Sequence, residues 1–413
     1  MSVLLAHPGA GPFVEQSVRG LIQADLLECF ATALALQPSA ISTRLLLKIP
    51  FGVGRALSAR VVHNVPAKFL RLNPYGEIRR ALAHRMDPSG LKADRAWDAN
   101  MHNFSAWAGR QISASTRLVY GYDYGALELF QAAQPRGVKR VLEHPAAAYG
   151  FNSQLLEDEA REFPALRSAY RANAVAKRSE RSARRDAELE MASAVICNST
   201  FTRATFAKAG FDVSRFRIVP LGSPPIEPSR ICLERDTSQP LRILFAGNFS
   251  ALKGAYYLLS ALNSLPNPAH LEVHCYGAMG LPADLTSNVP TSLKFLGSVP
   301  REELRVAMHH ADALILPSLS DGFGMVVTEA LAAALPVICT SSVGAADLIQ
   351  DRRNGLVIEP RSAASIQAAL SWCLDHRPEL NSMRARAVAT ASAWQWSDYR
   401  RAHSQAIAEL LAA

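Results

Sequence analysis

A strand, a glycine-containing turn and a helix follow one another directly in the C-terminal half of the chain. The apolar run at residues 313–317 is short, aliphatic and closed by a proline, which predicts a buried strand. After Gly322 and Gly324, apolar residues continue through Ala334, as in a helix packed on a sheet. In open α/β sheets, ligands bind at the carboxyl ends of the strands, and the first N–H groups of a helix favour an anion. The stretch therefore predicts an α/β domain with a ligand site at this turn.

Two carboxylates flank the turn: Asp321 lies just before the glycines and Glu329 eight residues later. Eight helical residues rise about 12 Å, whereas a glycosidase holds its two carboxyl groups roughly 5 to 9.5 Å apart around one bond. The spacing therefore fits two separate parts of one long ligand, such as the ribose and hexose of a nucleotide sugar. The structural alternative is an acid at a helix N-terminus and a solvated glutamate.

The segment from Asp321 through Glu329 resembles the acidic-x7-Glu signature of the retaining family 4 glycosyltransferases, which have the two-domain GT-B fold. The resemblance implies that Asp321 contacts the donor sugar and that Glu329 contacts the nucleotide ribose. Asp321 stands where the family usually has Glu, and it is one methylene shorter. The resemblance also implies that backbone amides after the first acid approach sugar and phosphate, namely those of Gly322, Phe323, Gly324, Met325 and Val326.

The length of the chain, 413 residues, exceeds that of one ordinary hydrophobic core, so two domains are expected. Residues 223–240 contain four prolines and little periodicity, as a linker does. We therefore predict an α/β fold of GT-B type, with two Rossmann-like, doubly wound parallel-sheet domains facing a central cleft. They comprise residues 1–222 and 241–390, and residues 391–413 form a helix that, by the resemblance, crosses back to the first domain.

A second strand and turn open the predicted C-terminal domain at residues 241–254, with Lys253 before a helix. A lysine there opposes the helix dipole, but a charge-assisted contact with phosphate, worth about 1.5–3 kcal/mol, outweighs that cost. The motif resembles the family's strand-Gly-Arg-x(n)-Lys-Gly, in which both cations hold the donor diphosphate. Lys253 matches the lysine, and Asn248 stands in place of the arginine. Val299 matches a loop beside the nucleotide base. The alternative for Lys253 is an ordinary surface lysine.

The N-terminal segment repeats the pattern of strand, turn and helix, with Gly9 and Gly11 in the turn. By the resemblance this loop faces the donor diphosphate across the cleft, although two glycines also fit a purely structural turn. His144 follows a predicted strand, and residues at the carboxyl end of a strand face the cleft of a doubly wound domain. The resemblance places His144 close to the transferred sugar; the alternative is a histidine that caps local backbone.

Positive charge is concentrated in the first half of the chain. Residues 1–225 carry 29 Lys and Arg against 19 Asp and Glu, a net +10, and the remainder carries 15 against 17, a net −2. Eleven Lys and Arg lie within residues 44–95. This segment is either a solvated surface or a surface facing an acceptor or an anionic membrane. Aromatic residues are not interleaved with the cations as stacking platforms, so no nucleic-acid partner is expected.

Residues 157–190 mix both charges at helical spacing, which predicts a solvated helix.

The six cysteines are scattered without Cys-x-x-Cys or metal-ligand spacing, as in reduced cytosolic proteins. Neither a signal peptide nor an apolar run of membrane-spanning length is recognisable, so we expect a cytoplasmic protein, peripheral at most to the inner face of the membrane. No Asp-x-Asp motif or His/Cys cluster occurs, so we expect no metal ion and no cofactor, with a UDP- or GDP-linked sugar as substrate.

Together these motifs predict a glycosyltransferase that moves a sugar from a nucleotide-diphospho-sugar donor to a hydroxyl of a saccharide or lipid-linked acceptor, in polysaccharide or glycolipid biosynthesis. The resemblance implies retention of anomeric configuration, with the leaving diphosphate helping to deprotonate the acceptor. The predicted catalytic residues are His144 and Asp321, which orient the sugar, and Lys253, which stabilises charge on the diphosphate. Two alternatives stay open: a GT-B phosphorylase or epimerase-like enzyme, and a non-catalytic GT-B protein that binds an anionic surface.

Overall fold

The computed structural model describes residues 1–38, 43, 57, 60–87, 91–167, 169–231, 236, 238–266, 268–286 and 289–413. Most of the first part of the predicted basic segment, including Arg44, Lys48 and Arg55, lies outside the described residues, as does Cys232. The described residues form two α/β domains, each built on one sheet.

Among the described residues, the N-terminal sheet has seven strands. They are β1 (Val3–Ala6), β2 (Leu27–Thr32), β3 (Leu70–Leu72), β4 (Leu118–Tyr122), β5 (Lys139–His144), β6 (Ala194–Cys197) and β7 (Phe216–Ile218). The helices described in this domain are α1 (Pro12–Gln23), α2 (Tyr75–Met86), α3 (Leu91–Gly109), α4 (Leu127–Ala133), α5 (Tyr149–Glu162), α6 (Ala169–Ala176), α7 (Arg178–Met191) and α8 (Thr200–Lys208).

In the part of the chain that the structure describes, the C-terminal sheet has six strands. They are β8 (Leu241–Ala246), β9 (Leu271–Tyr276), β10 (Leu293–Gly297), β11 (Ala313–Leu316), β12 (Val337–Thr340) and β13 (Gly355–Ile358). The helices that follow the linker are α9 (Ala255–Asn263), α10 (Ala283–Thr286), α11 (Arg301–His309), α12 (Met325–Ala332), α13 (Ala363–Asp375), α14 (Arg377–Ala393) and α15 (Trp396–Ala412). Short 3-10 turns include Ala251–Lys253 and Gly344–Leu348.

Both sheets are doubly wound and parallel. The strand order is β3-β2-β1-β4-β5-β6-β7 in the first and β10-β9-β8-β11-β12-β13 in the second. Every pairing between these strands is parallel. The predicted architecture of two Rossmann-like domains is therefore confirmed. The first sheet ends at Ile218 and the second begins at Leu241, whereas the limits of the linker stay a prediction.

The central strand β1 of the first sheet is apolar and buried on both faces. Val3 and Leu5 of β1 pack in one core cluster, and Leu4 and Ala6 pack in the cluster on the opposite face. Alternation of side chains along a strand produces this division. Buried β-strands of this kind read as continuous apolar runs, which is why the sequence identified them.

The last helix, α15, packs against α1 of the N-terminal domain. The hydroxyl groups of Tyr399 and Ser17 lie 2.7 Å apart in the buried contact. A β-carbon on Gly20 would lie 2.9 Å from the carbonyl oxygen of Arg400, so the two helices approach closely at that glycine. The chain therefore returns to the first domain after completing the second.

The charged helix α7 is partly buried, so the prediction of a solvated helix over residues 157–190 is wrong. The side chains of Arg181, Arg184 and Glu188 are all buried. Arg184 donates to both carboxylate oxygens of Glu128, at 2.7 and 2.8 Å. Burial is tolerated because each charge has a partner, which a pattern of mixed charges in the sequence does not show.

The cysteines of the described residues are thiols rather than disulfides, and all of them are buried. Burial raises the pKa of Cys29 to about 11 and that of Cys339 to about 12. Within the residues that the structure describes, no helix combines the length and apolarity required to cross a bilayer.

Candidate active site

The strand order reverses between β1 and β4 in the first sheet and between β8 and β11 in the second. Loops leave these neighbouring strands in opposite directions, which opens a crevice at their carboxyl ends. In the C-terminal domain the crevice lies between the turn that holds Asn248 and Lys253 and the turn that holds Asp321. In the N-terminal domain it lies beside Gly9. We call these two reversals of strand order the switch points. Most of the predicted site residues therefore follow strands at the two switch points.

Lys253 and Asp321, which are 68 residues apart in the chain, form an ion pair between Nζ and Oδ2. Both side chains are half-buried. The two turns are held together by a backbone hydrogen bond of 2.9 Å from the N–H of Leu319 to the carbonyl of Leu252. Gly254 has a φ of 72°, and a β-carbon there would lie 1.9 Å from the carbonyl oxygen of Pro317. The glycine thus permits the close approach that places the lysine beside the carboxylate.

The glycine turn leads directly into α12. Gly324 is its N-cap, with a φ of 78°, and a β-carbon there would lie 2.7 Å from Cγ1 of Val343. Phe323 is buried in the core, and its carbonyl accepts a 2.7 Å hydrogen bond from the N–H of Ala345. Met325 and Val326 are half-buried in the first turn. First-turn N–H groups of a helix have no intrahelical acceptor, so they can bind an anion.

The carbonyl oxygen of Gly322 is bound by the N-terminal domain. Ser199 donates to it at 2.6 Å and Thr202 at 3.2 Å. A β-carbon on Gly322 would lie 2.0 Å from the carbonyl oxygen of Pro145, next to His144. The turn of one domain therefore touches the loops after β5 and β6 of the other. The sequence did not predict Ser199 or Thr202 as site residues, since their only local signal is that of a helix start.

Glu329 lies on α12 and lines a pocket of about 170 Å³. Arg301, Leu304 and Pro224 also line this pocket. Its Oε1 accepts a hydrogen bond of 2.6 Å from Nη2 of Arg301. Burial raises the pKa of Glu329, opposed by the charge of Arg301 and its hydrogen bond. Val299, predicted to lie beside the base, is half-buried in the segment just before α11. The carboxylate therefore lies beside a concave surface that polar groups of a ligand can reach.

His144 ends β5, as predicted, but its ring is only 4% exposed and both nitrogens have partners. Nε2 lies 3.1 Å from Oδ1 of Asp123, and Nδ1 lies 3.1 Å from the carbonyl oxygen of Ala146. Burial by itself raises the pKa of Asp123, yet the charges of His144 and Arg185 and their hydrogen bonds hold it well below its usual range. His144 is thus fixed in orientation by Asp123, a residue that the sequence analysis did not select.

The Gly9 turn after β1 is organised by two side chains that the sequence analysis did not select. Nδ1 of His7 lies 2.9 Å from the N–H nitrogen and 2.6 Å from the carbonyl oxygen of Gly9. Burial lowers the pKa of His7 to about 4. A β-carbon on Gly9 would lie 3.0 Å from Nη1 of Arg60, so this guanidinium covers the turn. Gly11 is the N-cap of α1, and a β-carbon there would meet no atom within 4 Å.

Asn248 is exposed in the turn after β8, at the position where an arginine was expected from the resemblance. Among the residues described, no group of three or more His, Cys, Asp or Glu side chains is placed to hold a metal ion. Independence from metal ions stays a prediction.

Comparison with known sequences identifies the C-terminal domain. Residues 240–376 match the family described as Glycosyl transferases group 1. A D-inositol 3-phosphate glycosyltransferase of Nocardia farcinica is 30% identical over 183 residues, which are 44% of this chain and 36% of that protein. A glycogen synthase of Mycobacterium tuberculosis is 28% identical over 160 residues, 37% of this chain and 38% of that one. The chain thus spans little more than a third of the length of these relatives.

Comparison with solved structures covers the whole chain. Sucrose-phosphate synthase from Thermosynechococcus elongatus superposes with a TM-score of 0.63 at 16% identity, covering 100% of this chain and 99% of that one. HepE of Anabaena, solved with UDP-glucose, gives a TM-score of 0.59 at 16% identity, over 99% of this chain and 100% of the other. At such identities the likeness shows the fold alone. Residues 240–376 therefore match the glycosyl transferases group 1 family, and the chain has the GT-B fold.

Proposed function

We propose that this protein is a retaining glycosyltransferase that moves a sugar from a nucleotide-diphospho-sugar to a hydroxyl of a saccharide or lipid-linked acceptor. The observation that carries the proposal is the ion pair of Lys253 and Asp321 at the C-terminal switch point. It sets a cation suited to diphosphate beside a carboxylate suited to sugar hydroxyls. The match of this domain to the glycosyl transferases group 1 family supports the same assignment.

The diphosphate would lie between Lys253 and the start of α12. A charge-assisted hydrogen bond contributes about 1.5–3 kcal/mol, and a helix N-terminus adds roughly 0.3–1 kcal/mol for an anion. The Gly9 turn and the start of α1 would approach it from the other domain, where Arg60 covers the turn. Arg60 is thereby a candidate for the positive charge that Asn248 does not provide, although it also pairs with Glu77 at 2.5 Å.

The transferred sugar would lie between Asp321 and the loop after β5. Asp321 accepts hydrogen bonds from sugar hydroxyls, and His144, held by Asp123, shapes the opposite wall. The bond from the sugar to the diphosphate breaks as the acceptor oxygen bonds to the same carbon on the same face. The proton of the acceptor hydroxyl passes to an oxygen of the leaving diphosphate. Fixed donors around that diphosphate stabilise its growing charge without reorganisation.

The nucleoside would extend towards Glu329 and the pocket beside it. A ribose carries two neighbouring hydroxyls, and a carboxylate accepts hydrogen bonds from both. Glu329 is paired with Arg301, whose side chain is largely exposed and can turn towards solvent. HepE, which shares the fold, was solved with UDP and with UDP-glucose, and this supports a donor of the same class.

Calorimetric titration with UDP and GDP, in buffer containing a metal chelator, tests the donor site. We expect one nucleotide to bind and its affinity to fall at least about tenfold in Lys253→Ala and in Glu329→Ala, a loss of about 1.4 kcal/mol. Lys294→Ala is the matched control, because Lys294 also pairs with a carboxylate of this domain, that of Glu272 at 2.6 Å. Its affinity should equal that of the unmodified protein.

Incubation with the corresponding nucleotide sugars then separates the enzyme classes. Release of nucleoside diphosphate with a product that keeps the anomeric configuration supports the proposal. Turnover that requires inorganic phosphate identifies a phosphorylase, and a rearranged sugar without an acceptor identifies an epimerase-like enzyme. A folded protein that binds neither nucleotide would instead be a non-catalytic GT-B protein.

A further inference from the structure

Helix α2 carries a stripe of apolar side chains that face solvent. Tyr75, Ile78, Leu82 and Met86 are 81%, 55%, 57% and 72% exposed. At 3.6 residues per turn they lie within an arc of about 80°. Of the twelve large hydrophobic side chains exposed in the described part of the chain, five lie within residues 72–86, Leu72 being the fifth. Isolated exposed hydrophobic residues are ordinary, but a continuous stripe on one helix marks a binding surface.

Cations border this stripe. Arg79 and Lys92 line a groove of about 380 Å³ together with the four apolar side chains. Lys68 and Arg71, just before the helix, are exposed as well. We call the set formed by Tyr75, Ile78, Leu82, Met86, Arg79 and Lys92 the basic–apolar face.

The acidic side chains next to the basic–apolar face are already engaged. The carboxylate of Glu77 accepts hydrogen bonds from Arg60 at 2.5 Å and from Arg80 at 3.3 Å. Asp87 accepts a hydrogen bond of 2.8 Å from the backbone N–H of Lys92. The face is therefore positive and apolar at once.

We propose that the basic–apolar face docks the protein on the surface of an anionic lipid bilayer. A helix that lies in a bilayer interface buries its apolar side between the headgroups while its cations contact anionic lipid. The long side chains of Arg79 and Lys92 can reach the headgroups while their methylene groups stay beside the apolar stripe. This surface lies outside the nucleotide-sugar site, so the inference does not depend on the proposed reaction.

A second copy of the chain fits this face less well. A helix of twelve residues is about 18 Å long, and its exposed side offers far less than the roughly 800 Å² per partner of a stable interface. A symmetric contact through the same patch would also set Arg79 and Lys92 of one copy against those of the other. A bilayer, in contrast, supplies both the apolar medium and the negative charge.

The position of α2 relates the membrane to the cleft. The helix begins three residues after the carboxyl end of β3, so its N-terminus lies at the edge of the sheet where the cleft opens. Glu77 on α2 pairs with Arg60, and Arg60 covers the Gly9 turn. Docking through α2 thus holds the cleft of the N-terminal domain near the lipid headgroups, where a lipid-linked acceptor would present its hydroxyl.

Co-sedimentation with vesicles tests the proposal directly. Vesicles of phosphatidylcholine with about one-third phosphatidylglycerol are compared with pure phosphatidylcholine, at about 0.05 M and about 0.5 M salt, where the Debye length falls from roughly 14 Å to roughly 4 Å. We expect binding to the anionic vesicles at low salt and at least about tenfold weaker partitioning in each of the other conditions. Leu82→Glu should reduce binding at least about tenfold, because it places a negative charge in the apolar stripe.

Val306→Glu is the matched control, since Val306 is an apolar helical residue of the other domain with 42% exposure. It should bind vesicles as the unmodified protein does. A second measurement uses Leu82→Cys carrying an environment-sensitive fluorophore: its emission should shift to the blue on addition of anionic vesicles, and that of labelled Val306→Cys should not.

Three results would overturn the proposal. They are an absence of sedimentation with anionic vesicles, equal binding by Leu82→Glu and the unmodified protein, and a dimer in light scattering that Leu82→Glu dissociates. The last result would assign the face to a second copy of the chain. None of these measurements uses a sugar donor, so failure of the proposed reaction and failure of membrane docking are separate outcomes.

Discussion

The hydroxyl of Ser199 in the N-terminal domain donates a hydrogen bond of 2.6 Å to the carbonyl oxygen of Gly322 in the C-terminal domain. Ser199 is also the N-cap of α8, where its Oγ accepts a hydrogen bond of 3.0 Å from the N–H of Thr202. One side chain therefore begins a helix in one domain and holds the glycine turn of the other.

Ser199→Ala should lower both stability and activity. Loss of an N-cap costs about 1 kcal/mol, and loss of the bond to Gly322 should reduce kcat/KM about fivefold, close to 1 kcal/mol. Ser362→Ala is the control, since Ser362 caps α13 through a 3.0 Å bond from the N–H of Ser365. It should lose similar stability in chemical denaturation and keep its kcat/KM. Equal kcat/KM in the two variants would show that the hydrogen bond from Ser199 to Gly322 does not contribute to activity.

Gly322→Ala should separate the domains without unfolding them. The new β-carbon would lie 2.0 Å from the carbonyl oxygen of Pro145 and 2.7 Å from Cα of Ala146, both in the other domain. We expect a larger radius of gyration in small-angle X-ray scattering. Gly150→Ala is the control, because a β-carbon there meets no atom within 4 Å. Its radius of gyration should stay unchanged, and its free energy of unfolding should rise by up to about 1 kcal/mol. An unchanged radius in Gly322→Ala would contradict the packing described.

Asp321→Asn should have opposite effects on nucleotide and on nucleotide sugar. Removal of one negative charge beside Lys253 should strengthen binding of the nucleoside diphosphate about threefold, close to 0.7 kcal/mol. Turnover of the nucleotide sugar should fall at least about tenfold, since the carboxylate is proposed to hold the sugar. Glu272→Gln, which removes the partner of Lys294, serves as control and should change neither value. A parallel loss of both would show that the carboxylate supports nucleotide binding as well, by holding Lys253 in place.

Arg181→Met should destabilise the N-terminal domain by about 3 kcal/mol, because the carboxylates of Asp94 and Asp98 lose their charge-assisted hydrogen bonds from the guanidinium and keep Lys177 as their cation. Arg181 donates to Asp94 at 2.8 Å and to Asp98 at 3.0 Å, and its side chain is 8% exposed. Arg161→Met is the control, since Arg161 pairs with Asp158 at 3.0 Å but is 72% exposed. This substitution should lower the free energy of unfolding by less than about 0.5 kcal/mol. Urea denaturation at neutral pH compares the two.

The buried carboxyl of Glu143 predicts a pH dependence of stability. Burial raises its pKa to about 7, against the hydrogen bond from Tyr120 and the charge of His144. The folded protein then keeps a proton that the unfolded chain releases near pH 4.5, so stability is present at low pH and falls as pH rises to about 7. Glu143→Gln should match the unmodified protein at about pH 4.5 and exceed it by up to about 3 kcal/mol at about pH 8.

Glu188 provides the contrast to Glu143. Burial raises its pKa to about 7 as well, but its carboxylate accepts hydrogen bonds from the N–H groups of Tyr124, Ala126 and Leu127 at 2.6 to 3.0 Å. Replacement by Gln puts an N–H donor against N–H donors. Glu188→Gln should therefore be less stable than the unmodified protein at every pH in chemical denaturation. If Glu188→Gln were more stable than the unmodified protein at pH 8, the carboxyls of Glu188 and Glu143 would behave alike.

The parts of the site that the sequence predicted share one property: each follows a strand in a strand–turn–helix segment. Lys253, Asp321 and Glu329 could be selected because their spacing to glycines and apolar runs is local. His144 was correctly placed at the end of β5, but its pairing with Asp123 was not foreseen. That contact joins the residue after β4 to the last residue of β5, so it depends on which strands are neighbours and on their register.

The sequence by itself determined the two doubly wound domains, because buried parallel strands and glycine turns leave apolar runs and breaks that are visible over ten residues. Tertiary structure alone decided that Ser199 reaches Gly322, that Arg181 is buried against Asp94, and that α2 exposes its apolar stripe. The local sequence pattern around each of these features does not depend on its partner. It is the same whether a serine at a helix start, an arginine among acids or an amphipathic helix contacts solvent, another domain or a lipid surface. Only packing distinguishes these environments, since burial and hydrogen-bond partners come from residues far apart in the chain.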